Sequence, residues 1–291
     1  SVSIVPAVLS LLTALLIFRF SDDSPKGNYD KRKRLNLMPP VSALSSLCDA
    51  VKNVNTWILF IQYGCCFGVE VTMNNAAALY FKDQFNQTTE AAAAIASVFG
   101  WMNLFARGFG GFTSDMCNAK FGMRGRYIWQ FISFSLQGLA IILFGNANTL
   151  PGAIFAMILF SVFVQFCEGS TYGIVPYVNP NVTGSVVGII AAGGNVGGVA
   201  FAVMFREYEY KTAFIFMGFS VVLSSILSFF LTVKGTPFFN CWECLQGFSL
   251  SMEPQQQKVS QQKQEKQEKA DMGAANIAEV EVEYGSSAPQ D

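Results

Sequence analysis

The sequence predicts an all-α protein built as a bundle of transmembrane helices, and three observations predict it. Hydrophobic residues make up 52% of the 291-residue chain and charged residues only 13%, where soluble domains carry about 25% charged residues. The apolar residues are grouped into long blocks, and a run of about 18 or more with few charges can cross a hydrocarbon layer of roughly 30 Å. Twenty-eight phenylalanines are more than a soluble surface can hide.

Seven blocks follow one another: Val2–Phe18, Val54–Phe81, Ala91–Thr113, Tyr127–Gly145, Pro151–Val175, Val186–Phe205 and Thr212–Val233. Each is expected to cross as a helix, because a helix satisfies its own backbone hydrogen bonds where no water is present. The chain opens on Ser1 directly before the first block. That block lacks the basic start and small-residue cleavage site of a signal peptide, and the absent methionine suggests a fragment.

The connectors set the orientation. Ser21–Asn53 is polar and contains Lys31, Arg32, Lys33 and Arg34, while Asn146–Leu150 has no charge. With Ser21–Asn53 in the cytoplasm, the cytoplasmic connectors also collect Lys26, Lys52, Lys120, Arg124 and Arg126. The outer connectors collect only Lys82, Arg206 and Lys211. Basic residues favour the cytoplasmic side, so this orientation is expected, with the C-terminus inside. The sequon at Asn86 then falls outside and the one at Asn181 inside. Met252–Asp291 is rich in Gln, Lys and Glu without apolar periodicity. It reads as a disordered cytoplasmic tail, suited to an accessory or regulatory protein.

Several functions are excluded early. There is no histidine, which removes imidazole metal sites and histidine-based triads. The seven cysteines lack a framework spacing; Cys241 and Cys244 form a CxxC with no second pair nearby, so inert or acylated thiols are expected rather than zinc. No cofactor, metal or catalytic residue is expected. The net charge of −1 says nothing about partners, and no nucleic-acid partner is expected.

Four stretches carry chemistry. Arg107, in Asn103-Leu104-Phe105-Ala106-Arg107-Gly108, lies six residues inside the cytoplasmic end of its block, roughly 9 Å deep. A charge near the centre of a membrane helix costs about 2.5 kcal/mol or more. Snorkelling to the interface is the bland reading. Glycines 108, 110 and 111 instead suggest a face packed on protein, and a guanidinium fork matches a planar oxyanion. In the sixth block, Gly193, Gly194, Gly197 and Gly198 surround Asn195. Each interior glycine costs about 1 kcal/mol relative to alanine; close helix packing accounts for some of that, and close approach of a small ligand is the sharper reading. Glu70 and Glu168 sit within spans, as proton sites or as ion-pair partners of a membrane-buried cation. Tyr63 either covers the anion or packs against lipid.

The fourth stretch is Gly111-Phe112-Thr113-Ser114-Asp115 followed by Gly122-Met123-Arg124-Gly125-Arg126. It resembles the loop signature of the major facilitator superfamily, with a longer spacing between Asp115 and Gly122. The run Ala192-Gly193-Gly194-Asn195-Val196-Gly197-Gly198 is similar to the nitrate signature of the nitrate/nitrite porter family. The resemblance covers nearly all of residues 1–240. It implies secondary transport of nitrate, with nitrite as a further substrate, by alternating access between two six-helix halves, with protons as the coupling ion. Residues 1–20 would be the last helix of the first half and 21–53 a cytoplasmic linker. Residues 54–235 would be the six-helix C-terminal half and 236–291 the tail. Arg107, Tyr63 and the Gly193–Gly198 run with Asn195 would meet the substrate. Gly111, Asp115, Gly122, Arg124 and Arg126 would form the conformational gate loop. The protein would lie in the plasma membrane, in contact with the lipid bilayer. A sensor that binds nitrate without net flux, or a porter for another small anion, are the other readings; an enzyme has no support in these residues.

Overall fold

The computed structural model describes residues 4–22, 28–35, 42–233 and 235–238. The expected tail and Cys241 and Cys244 lie outside the described residues. The described helices all fall within Ser1–Thr236, one compact unit. They run α1 (Ile4–Phe20), α2 (Tyr29–Arg34), α3 (Ala43–Lys52), α4 (Val54–Phe85), α5 (Thr89–Phe121), α6 (Met123–Gly145), α7 (Leu150–Val178), α8 (Thr183–Glu207) and α9 (Tyr210–Ser225), which tightens into a 3-10 turn over Ile226–Phe230.

Helices lie at the expected places of all seven blocks, the last block leaving its helix at Leu231 for a two-residue strand, Thr232–Val233, that pairs with Thr236–Pro237. Five are long and apolar enough to cross a membrane: α4, α6, α7, α8, and α9 with its 3-10 turn. The longest, α5, is not among them, because Asn103, Arg107 and its glycines dilute its apolar character. With 17 residues and none buried, α1 is also shorter than these five. The result is an all-α transmembrane bundle, as the composition requires.

Three differences from the expected layout matter. The polar linker is not featureless, since α2 and α3 lie in it. Ser114–Arg126 is not a loop: α5 runs to Phe121 and α6 starts at Met123. Gly122 alone turns the chain, at φ 64°, where a residue without Cβ carries no steric penalty. Because α5 extends this far, Arg107 lies about 21 Å along the axis from the helix end rather than 9 Å.

Helix ends follow their local chemistry. Asn53 caps α4 by accepting from the Asn55 amide, and Thr88 caps α5 by accepting from Ala91. Thr149 does the same for α7. These short polar side chains satisfy amide groups that a helix start leaves without partners. Asn86 ends α4 in the left-handed region, at φ 51°, so the expected outer sequon is a three-residue turn.

Packing pairs α4 with α8, α5 with α7, and α6 with both α7 and α9. The α4–α8 seam is made of glycine. A Cβ at Gly68 would meet the Gly197 carbonyl carbon at 2.6 Å, and one at Gly64 would meet the Gly193 carbonyl oxygen at 3.0 Å. Small residues let membrane helices approach to backbone contact. At the far end of the bundle Phe144 packs against Tyr80, Phe160 and Phe214, with ring centroids 4.9, 5.2 and 4.8 Å away.

Candidate anion site

Three helices bring charge together. Tyr63 and Glu70, seven residues apart on α4, share a face, as do Asn103 and Arg107 on α5 and Gln165, Glu168 and Tyr172 on α7, because residues three, four and seven apart stack along a helix. Glycine contact between α5 and α7 holds these faces close: a Cβ at Gly169 would meet the Gly111 amide nitrogen at 2.7 Å, and one at Gly110 would meet the Phe166 carbonyl oxygen at 2.7 Å. Two of the three glycines expected to pack on protein do so; Gly108 has open space beside it.

Arg107 does not snorkel. Its Nη2 donates to Glu70 Oε2 at 2.7 Å and forms an ion pair with Glu168, while its Nε donates to Gln165 Oε1 at 3.0 Å. Asn103 Nδ2 donates to the other oxygen of Glu70 at 2.7 Å. The exposure is uneven. The Arg107 side chain is 37% exposed, whereas those of Glu70 and Glu168 are 8% and 0%. The arginine therefore lies on the accessible side of the cluster and the carboxylates stand behind it. One guanidinium stands against two carboxyl groups, so the cluster carries a net −1 when both are ionised.

Tyr63 is buried and stacks on Phe67, with planes 7° apart and centroids 5.3 Å apart. It meets Tyr172 edge-on at 5.4 Å and lies in the electrostatic field of Glu168. A lipid-facing position for Tyr63 is thus replaced by one inside the bundle, beside the charged cluster.

The glycine run is divided between two faces of α8. Cβ atoms at Gly193, Gly194, Gly197 and Gly198 would strike Phe60, the Tyr63 and Phe67 rings, Gly64 and Val71 respectively. These four glycines are occupied by packing against α4, and through Gly194 they set the place of Tyr63. Asn195 points the other way: it is exposed, and its amide donates only to Ala191 of its own helix, at 3.4 Å.

The expected gate loop is instead a clamp between two helix ends. Arg126 on α6 donates from Nη2 to Asp115 Oδ1 at 2.6 Å and from Nη1 to Ser114 Oγ at 3.2 Å, and its guanidinium lies 5.4 Å from the Tyr177 ring centroid. Gly173 on α7 leaves the space it occupies, since a Cβ there would come within 2.8 Å of Nη1. Gly111 stays with the α5–α7 seam, and Arg124 stands half-buried in the first turn of α6.

Asn103, Gln165 and Tyr172 belong to the site and were not singled out in the sequence. Their signal is spacing. Asn103 precedes Arg107 by one turn, and Gln165 and Tyr172 lie one turn to either side of Glu168.

The family model of the Major Facilitator Superfamily matches residues 1–202. The chain is 35% identical over 226 residues to the high affinity nitrate transporter 2.5 of Arabidopsis thaliana, covering 76% of this chain and 45% of that protein. It is 38% identical over 207 residues to high affinity nitrate transporter 2.7 of the same plant, covering 67% and 42%. It is 36% identical over 148 residues to the nitrate/nitrite transporter NrtP of a Picosynechococcus strain, covering 50% and 26%. The chain thus spans less than half the length of each of these relatives.

Proposed function

The chain belongs to the nitrate/nitrite porter family of the major facilitator superfamily, and on that premise we propose that α4–α9 form the C-terminal half of a proton-coupled porter for nitrate, with nitrite as its close analogue. It is a multi-pass membrane protein of a transporter family rather than an enzyme. The relatives named as nitrate transporters and the basic cytoplasmic connectors support a porter in the plasma membrane with its C-terminus inside.

The observation that carries the reading is Arg107 held between Glu70 and Glu168. A planar oxyanion can accept two parallel bonds from the guanidinium fork, but in this arrangement carboxylates occupy the donors. Nitrate has to displace one of them, and while both carboxyl groups are ionised the net −1 of the cluster opposes a second anion. A proton on a carboxylate removes one negative charge and releases Arg107 toward the opening. Glu168 is the one to take it: Asn103 holds Glu70, whereas among the described residues no hydrogen-bond donor other than Arg107 faces Glu168. Tyr63 and Tyr172 close the inner side and keep water from the exchanging charges. The bundle then rocks against its counterpart half, opening the site to each side in turn, with the Arg126–Asp115 clamp closing on the cytoplasmic side.

Arg107→Lys in the full-length protein tests this. An ammonium keeps the charge but loses the fork, so nitrate-evoked current is expected to collapse with surface expression retained. Normal uptake kinetics in that variant remove Arg107 from the site. Nitrate binding without current in the unmodified protein favours a sensor instead.

A further inference from the structure

The short helix α3 divides into three faces. At 100° per residue, Leu44, Leu47, Cys48 and Val51 fall on one side within an arc of about 100°. Ser46 and Ala50 form a second side, and Ser45, Asp49 and Lys52 a third, with centres roughly a third of a turn apart. The second side is buried against α8 and the start of α4, and the other two are exposed. Leu44 is 71% exposed, so an apolar stripe stands bare beside a small, packed one.

That stripe does not end with α3. Trp57 Nε1 donates to the Val51 carbonyl at 2.8 Å, joining the two helices across the bend at Asn53. Val54, Trp57 and Ile61 then continue an exposed apolar line along α4, which crosses the membrane. Amphipathic indole rings collect at the boundary between headgroups and acyl chains. A helix lying in that boundary has protein on one side, acyl chains on another and water on the third, which is the arrangement α3 shows. Just before it in the chain, α2 carries Lys31, Arg32, Lys33 and Arg34, with Lys33 and Arg34 exposed. A cluster of this kind beside a membrane helix attracts anionic headgroups.

We propose that α3 is an interfacial helix seated in the cytoplasmic leaflet, and that with the basic run of α2 it forms a binding surface for anionic phospholipids. It rests on the cytoplasmic placement of residues 21–53 and not on the anion site. The linker between the two halves is thereby pinned to the membrane surface, and the charge of the leaflet bears on how the halves move.

Thiol alkylation tests it in the whole chain reconstituted into bilayers, either of phosphatidylcholine alone or mixed with phosphatidylserine. The reagent is a charged, water-soluble maleimide, read at each site by mass spectrometry. Cys48 lies on the apolar face, and Asp49→Cys places a second thiol one residue away on the watery face. Cys48 is expected to react several-fold more slowly than the thiol at position 49, and the difference is expected to widen with phosphatidylserine. Lys33→Glu with Arg34→Glu is expected to erase that lipid dependence. Equal rates at the two thiols overturn the interfacial helix. Protection of Cys48 that ignores both phosphatidylserine and the charge reversal means a protein segment covers the face, and overturns the lipid surface. Leu139→Cys, on an exposed face of α6, reads membrane embedding separately: if it reacts as fast as position 49, the placement of the spans has failed rather than the surface on α3.

Discussion

Two arginines in this bundle are each paired with acid, and the pairs are built in opposite senses. At Arg107 the carboxylates are buried and the arginine side chain is 37% exposed. The Arg126 side chain is 5% exposed and that of its partner Asp115 is 65% exposed. The first cluster draws on three helices and sets two carboxyl groups against one cation. The second joins neighbouring helix ends and balances. A buried cation with a neutral hydroxyl, an aromatic ring and one acid around it has nothing to gain by exchanging partners. A partly exposed arginine with two acids behind it can exchange one of them for an incoming anion once that acid is protonated. On the proposed function, the difference separates the site offered to substrate from a pair that holds two helices.

The largest expected effect breaks the first cluster. Arg107→Ala leaves Glu70 and Glu168 buried without a counter-charge, which costs about 3–5 kcal/mol. Loss of nitrate-evoked current together with a lowered unfolding midpoint in detergent is expected, and unchanged stability would mean the ion pairs do not hold the fold. The next effect bears on coupling. Glu168→Gln imitates the protonated acid, so nitrate binding is expected to persist while uptake loses its rise toward acidic external pH. Uptake measured across external pH checks this, and a profile parallel to that of the unmodified protein assigns the proton elsewhere. A smaller effect is expected at the clamp. Gly173→Ala drives a methyl into the space of Arg126, for which overpacking costs about 1–3 kcal/mol; a thermal shift should show it, with apparent nitrate affinity unchanged. The smallest is Asp115→Asn, since the carboxylate is 65% exposed and the amide oxygen that replaces it still accepts from Arg126, so the loss is about 1 kcal/mol or less. Stability should hardly move, and a large drop would mean that Asp115 is far less solvated than its exposure indicates.

Legibility followed the range of the interactions involved. Membrane spans are readable because the thickness of the bilayer imposes a length and an apolar content on each segment separately. The helix ends at Asn53, Thr88 and Thr149 depend on hydrogen bonds over two or three residues, and so sit close to the expected block boundaries. The extension of α5 through Ser114–Phe121 was not readable: that stretch is polar and resembles a loop, and Ser114 and Asp115 find Arg126 on the next helix. Asn195 shows a second limit. Its place within a glycine run marked it for the substrate, but the run has two faces, and packing against α4 selects the glycine face and leaves the asparagine on the other.

By itself, the sequence determined that this chain is a stack of membrane helices, where the spans fall, and that a charge as costly as Arg107 needs a purpose. These follow from hydrophobicity and local spacing, which each segment carries alone. Only the tertiary structure decided what Arg107 faces. Glu70 and Glu168 come from helices before and after its own, and glycine seams let those helices approach to hydrogen-bonding distance. The tertiary structure alone also turned Leu44, Leu47 and Val51 outward, because Ser46 and Ala50 are small enough to pack on α8. Which groups meet across a bundle depends on helix rotation and separation, and these are set by packing among all the helices at once.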